Sequence, residues 1–272
     1  MVAAMHDQNV LNVDTRAFYC RTLTLLNESG IPYLVGGAYA LERYTGIERH
    51  TKDFDVFVRK GDYERVMQTL AGAGCRTELT FPHWLGKAHC GGDFIDVIFS
   101  SGNAIAEVDD EWFANASQGR VLGMEVMLCP AEEIIWSKAF VMERERYDGA
   151  DIAHLIRSCG HSLDWNRMLR RFGFHWRVLL SHLVMFGFIY PGEQSRIPEW
   201  VMTELLQRAQ SEARTPPAIK EQICRGTLIS RAQYLIDIEH WGYMDPRLAP
   251  RGSMTHEQVA HWTAAINEPE KH

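Results

Sequence analysis

The chain has 272 residues, of which 46% are apolar and 23% are charged, so it can bury a sizeable core and its composition argues against disorder. Its formal net charge is −7, and residues 1–160 carry 15 Lys and Arg against 23 Asp and Glu. Proteins that bind long nucleic acid usually present a basic face. The composition therefore disfavours long nucleic acid as a partner, although a local phosphate contact remains open.

The six cysteines are scattered and form no C-x-x-C pair. This spacing argues against a zinc site and a disulfide framework, and we expect the reduced thiols of a cytoplasmic protein. The N-terminus has no basic segment followed by an apolar run, so no signal peptide is predicted. The most apolar run, Val178 to Tyr190, is shorter than the about 20 residues that span a bilayer. It predicts a buried helix and no membrane contact.

Gly, Pro and capping residues divide the first half of the chain into alternating helices and strands. Helices are predicted over 14–28, 38–44 and 62–73, the last with an aspartate cap, and strands over 33–35, 52–58, 76–81, 84–90, 94–99 and 125–128. The last of these strands is expected at a sheet edge, and Gly91-Gly92-Asp93 predicts a hairpin turn. Pro130 then opens a helix, and the pattern beyond it is almost entirely helical.

This order of elements predicts an α+β fold with two parts. Residues 1–129 are expected to form a mixed sheet flanked by helices, including an N-terminal helix. Residues 130–272 are expected to form a helical region that packs on this core.

Two aspartates occupy one face of the predicted strand over 52–58. Because alternate side chains of a strand face opposite ways, Asp53 and Asp55 share one face, and Phe54, Val56 and Val58 face the core. Two neighbouring carboxylates repel each other, and a divalent cation that bridges them stabilises both in ionised form. The alternative is a solvated strand face with ordinary charges.

A third aspartate, Asp96, is the one charged residue of the apolar segment FIDVIF at 94–99. A lone carboxylate there is costly unless it is paired, hydrogen-bonded or bound to metal. Beside Asp53 and Asp55 it would complete a three-carboxylate cluster for one or two Mg²⁺ (or Mn²⁺) ions, which prefer oxygen ligands. A hydrogen-bonded structural aspartate near the turn is the other interpretation.

The glycine pair Gly36-Gly37 follows a predicted strand and precedes a predicted helix. Without a Cβ, a glycine lets backbone N–H groups approach an anion closely, and a helix N-terminus favours negative charge. Turns explain most glycine pairs, so this pair alone does not decide between a phosphate site and a turn.

Together these residues resemble the DNA polymerase β-type nucleotidyltransferase superfamily. The resemblance rests on LVGG at 34–37, on Arg49-x-Thr51-x-Asp53-x-Asp55 and on IDV at 95–97. It covers roughly residues 30–155 and is closest to small bacterial nucleotidyltransferase-like proteins and to the toxin nucleotidyltransferases of abortive-infection systems. It implies a polymerase β-like domain and an in-line attack of an acceptor hydroxyl on the α-phosphate of an NTP, with release of pyrophosphate.

The resemblance also implies roles for the five central residues. Gly36 and Gly37 would contact the nucleotide phosphates. Asp53 and Asp55 would bind metal. Asp96 would be either a third metal ligand or the base that deprotonates the attacking hydroxyl.

Five further residues are considered for a place beside the nucleotide. Arg49 and Thr51 would bind phosphate or hold the loop before the strand, and an exposed loop is the alternative. Lys138 is expected on one helical stripe with Ile134, Ile135, Val141 and Met142, where it would meet the carboxylate cluster or a triphosphate. Toxin-type relatives have a lysine in a comparable place followed by an acidic pair, here Asp148 and Asp151. A capping arrangement explains the same pair; we favour the cap for Asp148 and leave both interpretations open for Asp151.

Two surfaces have open interpretations. Lys87, His89 and Asp93 flank the predicted hairpin, where they would line an acceptor pocket or form ordinary hairpin surface. The bases of 167–177 alternate with aromatic residues, a pattern typical of a nucleic-acid surface and also of a solvated helix face beside buried rings.

Three functions follow from the sequence. The leading hypothesis is a metal-dependent nucleotidyltransferase. The others are a non-catalytic relative that binds an NTP or a partner, and a metal-dependent phosphoesterase that uses the same carboxylates. The sequence does not identify the NTP, and it leaves a small hydroxylated molecule, a tRNA end and a protein side chain open as the acceptor.

Overall fold

A computed structural model describes residues 11–48, 51, 53–216 and 221–267. The chain divides into two compact units. The first comprises Met1–Ser100 and Glu107–Pro130, and the second comprises Ser101–Ala106 and Ala131–His272. The short segment Ser101–Ala106 thus belongs to the second unit, which a single division near residue 130 does not anticipate.

The described part of the first unit contains one mixed sheet of seven strands. In chain order the strands are β1 (Leu34–Val35), β2 (Asp55–Phe57), β3 (Arg76–Phe81), β4 (Leu85–Cys90), β5 (Asp93–Ile98), β6 (Ser117–Val121) and β7 (Met124–Leu128). Their spatial order is β3-β4-β5-β2-β1-β7-β6. The pairs β1–β7 and β2–β5 are parallel, and the other pairs are antiparallel. The predicted class, α+β with a mixed sheet and flanking helices, is confirmed.

The helices of the first unit are α1 (Val13–Ser29), α2 (Gly37–Thr45), α3 (Tyr63–Gly72) and α4 (Asp110–Ala114). Helices α1 and α2 end at glycines in the left-handed conformation, Gly30 with φ 67° and Gly46 with φ 69°, where a side chain would be strained. Asp62 stands at the start of α3 as expected, but its side chain caps no N–H. Its carboxylate instead accepts a hydrogen bond from Arg65 at 2.9 Å.

The core of the first unit lies on one face of β2 and β5. Phe54, Val56, Ile95 and Val97 are fully buried, and the Phe54 ring lies 4.8 Å from the ring of Tyr19 on α1. The predicted core face of β2 is therefore correct. The strand itself is shorter than expected, because it begins at Asp55 and Lys52 lies outside the described residues.

The strand predicted over 125–128 is present as β7, but its expected place at the sheet edge is wrong. Strand β7 is paired on both sides, with β1 and with β6, and the missed strand β6 is the edge. The β6–β7 turn is Leu122-Gly123, and both residues have positive φ, 52° and 89°, as a two-residue hairpin turn requires. Glycine in the second turn position was the sequence signal for this hairpin.

The cysteine expectation is also wrong at one pair, because Cys75 and Cys90 form a disulfide. Arg76 pairs with His89 in the β3–β4 ladder, so the residues just outside that pair face each other, and their Cα atoms are 4.7 Å apart. Strand register, which the spacing of cysteines does not reveal, creates this juxtaposition. Among the described residues, Cys20, Cys129, Cys159 and Cys224 take part in no disulfide.

We predict that Cys75→Ser destabilises the protein by about 3 kcal/mol, because the disulfide closes a loop of 15 residues and restricts the unfolded chain. Urea denaturation with and without dithiothreitol measures this. Dithiothreitol should destabilise the wild type and a Cys159→Ser control, and should leave Cys75→Ser unchanged. Equal sensitivity of all three proteins would contradict the disulfide.

The second unit is helical in its described part. Its helices are α5 (Ala131–Lys138), α6 (Gly149–Cys159), α7 (Trp165–Phe172), α8 (Trp176–Ile189), α9 (Glu199–Arg214), α10 (Leu235–Glu239) and α11 (His256–Ala264). Helix α5 ends at Lys138, so the expected stripe through Val141 and Met142 is wrong. At Met142 the chain is no longer helical, and the Met142 N–H donates to Ile229 O at 3.0 Å.

The stretch Trp165–Ile189 is long and apolar enough to cross a membrane by length and composition alone. The apolar run considered from the sequence, Val178 to Tyr190, is too short to span a bilayer. In the structure the helical stretch begins earlier, at Trp165, and runs through α7 and a 3₁₀ turn into α8. A core helix has the same composition, and 33% of the apolar window is buried. The absence of a membrane contact stays a prediction.

A buried ion-pair network links α5 and α7. Arg167 pairs with Glu132 at 2.7 Å and with Glu133 at 3.3 Å, and Arg171 reaches Glu133 at 3.3 Å. Two bases of the segment 167–177 are therefore neutralised inside the unit, while Phe174 is 88% exposed. Burial raises the pKa of Glu133 to about 7, although both arginines counter it.

We predict that Glu133 makes the protein less stable as pH rises from about 4.5 to about 7. The folded state keeps the Glu133 proton up to a pH near 7, and the unfolded chain releases it near 4.5, so folding binds a proton in this window. The expected fall in the free energy of unfolding is on the order of 1–3 kcal/mol. Urea denaturation across this pH range should show the fall in the wild type and in a control with the exposed Glu145 changed, Glu145→Gln, and lose it in Glu133→Gln. An unchanged profile in Glu133→Gln would reject the assignment.

Candidate functional site

Strand pairing brings two of the three predicted carboxylates together. Strands β2 and β5 run parallel, with Asp55 directly opposite Asp96, and the Asp96 N–H donates to Phe54 O at 2.9 Å. Residues directly opposite each other project from the same face of a sheet. Both aspartates therefore project from the face opposite the buried Val56 and Val97.

Asp53 precedes the strand and is exposed. Its N–H donates to Thr51 Oγ1 at 3.0 Å, and the Thr51 hydroxyl donates back to Asp53 O at 3.2 Å. Thr51 thus holds the loop before β2, one of the two roles considered for it. Its contact with a nucleotide stays a prediction, and Arg49 lies outside the described residues.

Asp96 has a partner that the sequence reasoning did not assign to it. Lys87 on β4 stands directly opposite Asp96 on β5, and its Nζ lies 2.6 Å from Asp96 Oδ1. The Asp96 side chain is only 13% exposed and that of Lys87 24%. A buried carboxylate is thereby compensated by a cation, as desolvation requires.

The aspartates also act on one another through their charges. Burial raises the pKa of Asp96 and the charge of Asp53 adds to the rise, whereas Lys87 and His89 counter it. Helix α1 contributes Tyr19 to the same region. Burial raises the pKa of Tyr19, and Asp93, Asp53 and Asp55 are among the charges that add to this rise.

The glycine pair is in close contact with β2. A Cβ on Gly37 would stand 1.7 Å from Asp55 Oδ2, and a Cβ on Gly36 would stand 2.2 Å from the Phe57 ring. Gly37 also has φ +55°, and the Gly36 N–H donates to Asp55 O at 3.0 Å. Gly37 therefore makes room for the Asp55 carboxylate at the start of α2, and Gly36 makes room for the Phe57 ring. Their contact with phosphate stays a prediction.

The donor chemistry of this face suits a hard divalent cation, since Asp53, Asp55 and Asp96 offer carboxylate oxygens within a few residues of two paired strands. As the described side chains lie, no three of His, Cys, Asp or Glu are grouped closely enough to hold an ion. The Lys87 ammonium occupies one oxygen of Asp96. Asp53 and Asp55 are consequently the residues that fit a cation most directly.

Lys138 and the acidic pair form their own cluster in the second unit. Lys138 Nζ lies 2.7 Å from Asp148 Oδ2 and 2.9 Å from Asp151 Oδ2, and Arg146 donates to both oxygens of Asp148. The favoured side-chain cap by Asp148 is wrong, because its carboxylate caps no N–H of α6. Burial works to raise the pKa of Asp148, but Arg146 and Lys138 outweigh it and hold the pKa below its ordinary value.

Asp93 and His89, the other two residues that flank the β4–β5 hairpin, make different contacts. Asp93 accepts a hydrogen bond from Thr15 of α1 at 2.7 Å, which ties the first helix to the start of β5. His89 lies 3.4 Å from Glu78 on the neighbouring strand. The sequence signal for the contact between His89 and Glu78 was the alternation of polar residues along β3 and β4, which shows that they share a face but does not identify the partner.

No family model and no curated protein matches the chain. Similar solved structures include a solution structure of the antibiotic-resistance factor ANT(2'')-Ia, with 18% identity, a TM-score of 0.46 and coverage of 63% of this chain and 97% of that one. A crystal structure of the lincosamide antibiotic adenylyltransferase LnuA with lincomycin has 18% identity, a TM-score of 0.38 and coverage of 54% and 97%. An antigenic nucleotidyltransferase-like protein from Paracoccidioides brasiliensis has 16% identity, a TM-score of 0.36 and coverage of 63% and 93%.

We predict that Gly37→Ala costs more stability than Gly46→Ala, although both glycines have positive φ. At Gly46 a Cβ meets nothing within 4 Å, so the substitution costs the left-handed strain alone, about 1–2 kcal/mol. At Gly37 the same strain is joined by displacement of the Asp55 carboxylate. Thermal denaturation of the two variants compares these costs, and equal losses would show that Gly37 matters only for its backbone conformation.

Proposed function

We propose that this protein is a nucleotidyltransferase that uses Mg²⁺ or Mn²⁺ to transfer an NMP from an NTP to a hydroxyl of an acceptor, with release of pyrophosphate. The observation that carries the proposal is the register of β2 and β5, which sets Asp55 opposite Asp96. Asp53 lies two residues away, and the Gly36-Gly37 turn lies against Asp55. Carboxylates that converge beside a glycine turn at a helix N-terminus are suited to a metal-assisted nucleotidyl transfer.

Each residue has a role in this proposal. Asp53 and Asp55 would hold the cation, which when bound would neutralise charge on the triphosphate. Asp96 would accept the proton of the attacking hydroxyl, a task favoured by a raised pKa. The new bond joins the acceptor oxygen to the α-phosphorus as the bond to pyrophosphate breaks. Gly36 and Gly37 would contact the phosphates, with the Gly37 N–H as the donor, since the Gly36 N–H already donates to Asp55 O.

For the acceptor we favour a small hydroxylated molecule. The excess of 23 acidic over 15 basic residues in 1–160 repels large polyanions, and this makes a tRNA end the less favoured acceptor. A protein side chain remains a third outcome of the labelling experiment below.

A binding-only function is the second candidate, and two observations favour it. No three ligating side chains are grouped for a metal among the described residues, and Lys87 already neutralises Asp96. A protein of this kind would bind an NTP without turnover. Thermal-shift titration with each NTP, with and without Mg²⁺, detects binding independently of turnover.

We predict that the wild type transfers label from an α-³²P-labelled NTP to a component of a cell lysate. Asp53→Asn and Asp55→Asn should each reduce the transfer about 100-fold or more, since they remove charge at the reacting phosphate. Glu64→Gln, an exposed change on α3, is the matched control and should retain full transfer. Circular dichroism checks that the variants are folded.

Three outcomes separate the candidate functions. Full transfer by Asp53→Asn would reject the assigned site. NTP binding without labelling of any component would favour the binding-only function. Release of inorganic phosphate or pyrophosphate without an acceptor would favour a phosphoesterase.

A further inference from the structure

The ion pair of Lys87 and Asp96 has no part in the proposed roles. Its ammonium is 2.6 Å from Asp96 Oδ1, so one of the two oxygens that Asp96 could offer to a metal is already engaged. We infer that Lys87 is a positioning residue that holds Asp96 out of the metal's coordination sphere, so that Asp53 and Asp55 alone hold the cation. This inference rests on the proposed function of the same site.

The sheet fixes the Lys87 ammonium from several directions. Lys87 lies directly between Glu78 of β3 and Asp96 of β5 in the strand register. Its Nζ also lies 4.2 Å from the centre of the Phe94 ring, a favourable position for a cation. Strand β4, which carries Lys87, is paired on both sides, and so is β5, which carries Asp96. The backbones of both residues are therefore fixed by the sheet.

The positive charge of Lys87 affects how strongly the nearby carboxylates attract a metal ion. Asp53, Asp55 and Asp96 are three negative charges near one cation site, and the ammonium cancels one of them. A variant without the ammonium leaves Asp96 partly buried and uncompensated beside like charges, which is costly. A divalent cation is then the group that relieves the repulsion, and the freed Asp96 oxygen becomes available to it.

A merely structural role for Lys87 predicts something different. If the pair only joined β4 to β5, its loss would lower stability and leave the affinity for a cation unchanged or weaker. The affinity of the protein for Mn²⁺ in the absence of nucleotide therefore distinguishes the two roles.

The test measures Mn²⁺ binding to the full chain by electron paramagnetic resonance in the wild type, Lys87→Met, Lys87→Arg and Lys60→Met. Lys60 is exposed in the loop after β2 and is the matched control for loss of one positive charge. We expect Lys87→Met to bind Mn²⁺ about 5-fold or more tightly than Lys60→Met, and Lys87→Arg to resemble the wild type. The double variant Lys87→Met with Asp96→Asn should lose the gain, because Asp96 supplies the extra oxygen.

Kinetics provide the second measurement. Lys87→Met should lower kcat about 100-fold, as expected when a general base is misdirected, and leave KM for the NTP within about 3-fold. Lys87→Arg should restore most of kcat. Equal or weaker Mn²⁺ binding in Lys87→Met, or an unchanged kcat, would overturn the inference.

Two further controls keep the outcome decisive. If Lys87→Met is unfolded by circular dichroism, Lys87→Gln replaces it in the same binding measurement, with the same expectation. If the wild type labels no acceptor, the proposed function fails, while the Mn²⁺ comparison still decides whether Lys87 keeps Asp96 from the cation.

Discussion

The parallel pairing of β2 with β5 is the interaction on which the whole candidate site depends. These strands are separated in the chain by α3, β3 and β4, as parallel neighbours require a long connection. The ladder sets Asp55 opposite Asp96 and Val56 opposite Val97. One pairing therefore buries an apolar face and at the same time converges two carboxylates on the other.

The structure accommodates the two neighbouring carboxylates, Asp55 and Asp96, in two different ways. Asp96 is desolvated, and the Lys87 ammonium from the next strand compensates it. Asp55 is only half-buried and packs against Gly37, where no Cβ intervenes. Close packing against β2 is thus by itself a reason for glycine at positions 36 and 37. Because the pair lies at the start of α2, backbone N–H groups also lie beside the carboxylates.

The second unit shows the same competition between burial and partners, with opposite results. Glu133 is fully buried and one of its oxygens has no hydrogen-bond partner in the described part, so burial dominates and its pKa rises. Asp148 receives hydrogen bonds from Lys138 and Arg146, and its pKa falls. The number of donors that reach a carboxylate decides which effect is larger, and Lys138 is engaged within its own unit.

Local sequence determined the parts of this protein that need only local physics. The alternation around Asp53 and Asp55 showed which face of β2 is buried, Gly46 marked the end of α2, and the single charge of FIDVIF singled out Asp96. Each of these follows from strand period, backbone freedom or the cost of burying a charge. The resemblance to the nucleotidyltransferase superfamily rests on motifs of the same kind, which are short and local.

Tertiary structure alone decided which residues meet. Lys87 looked like hairpin surface, and the ladder between β4 and β5 made it the partner of Asp96. The same kind of register joined Cys75 to Cys90, and contacts distant in sequence ended α5 at Lys138. Pairing across strands depends on register, and a shift of one residue reverses every side chain. No pattern within one segment contains that information, so the partners had to come from the fold.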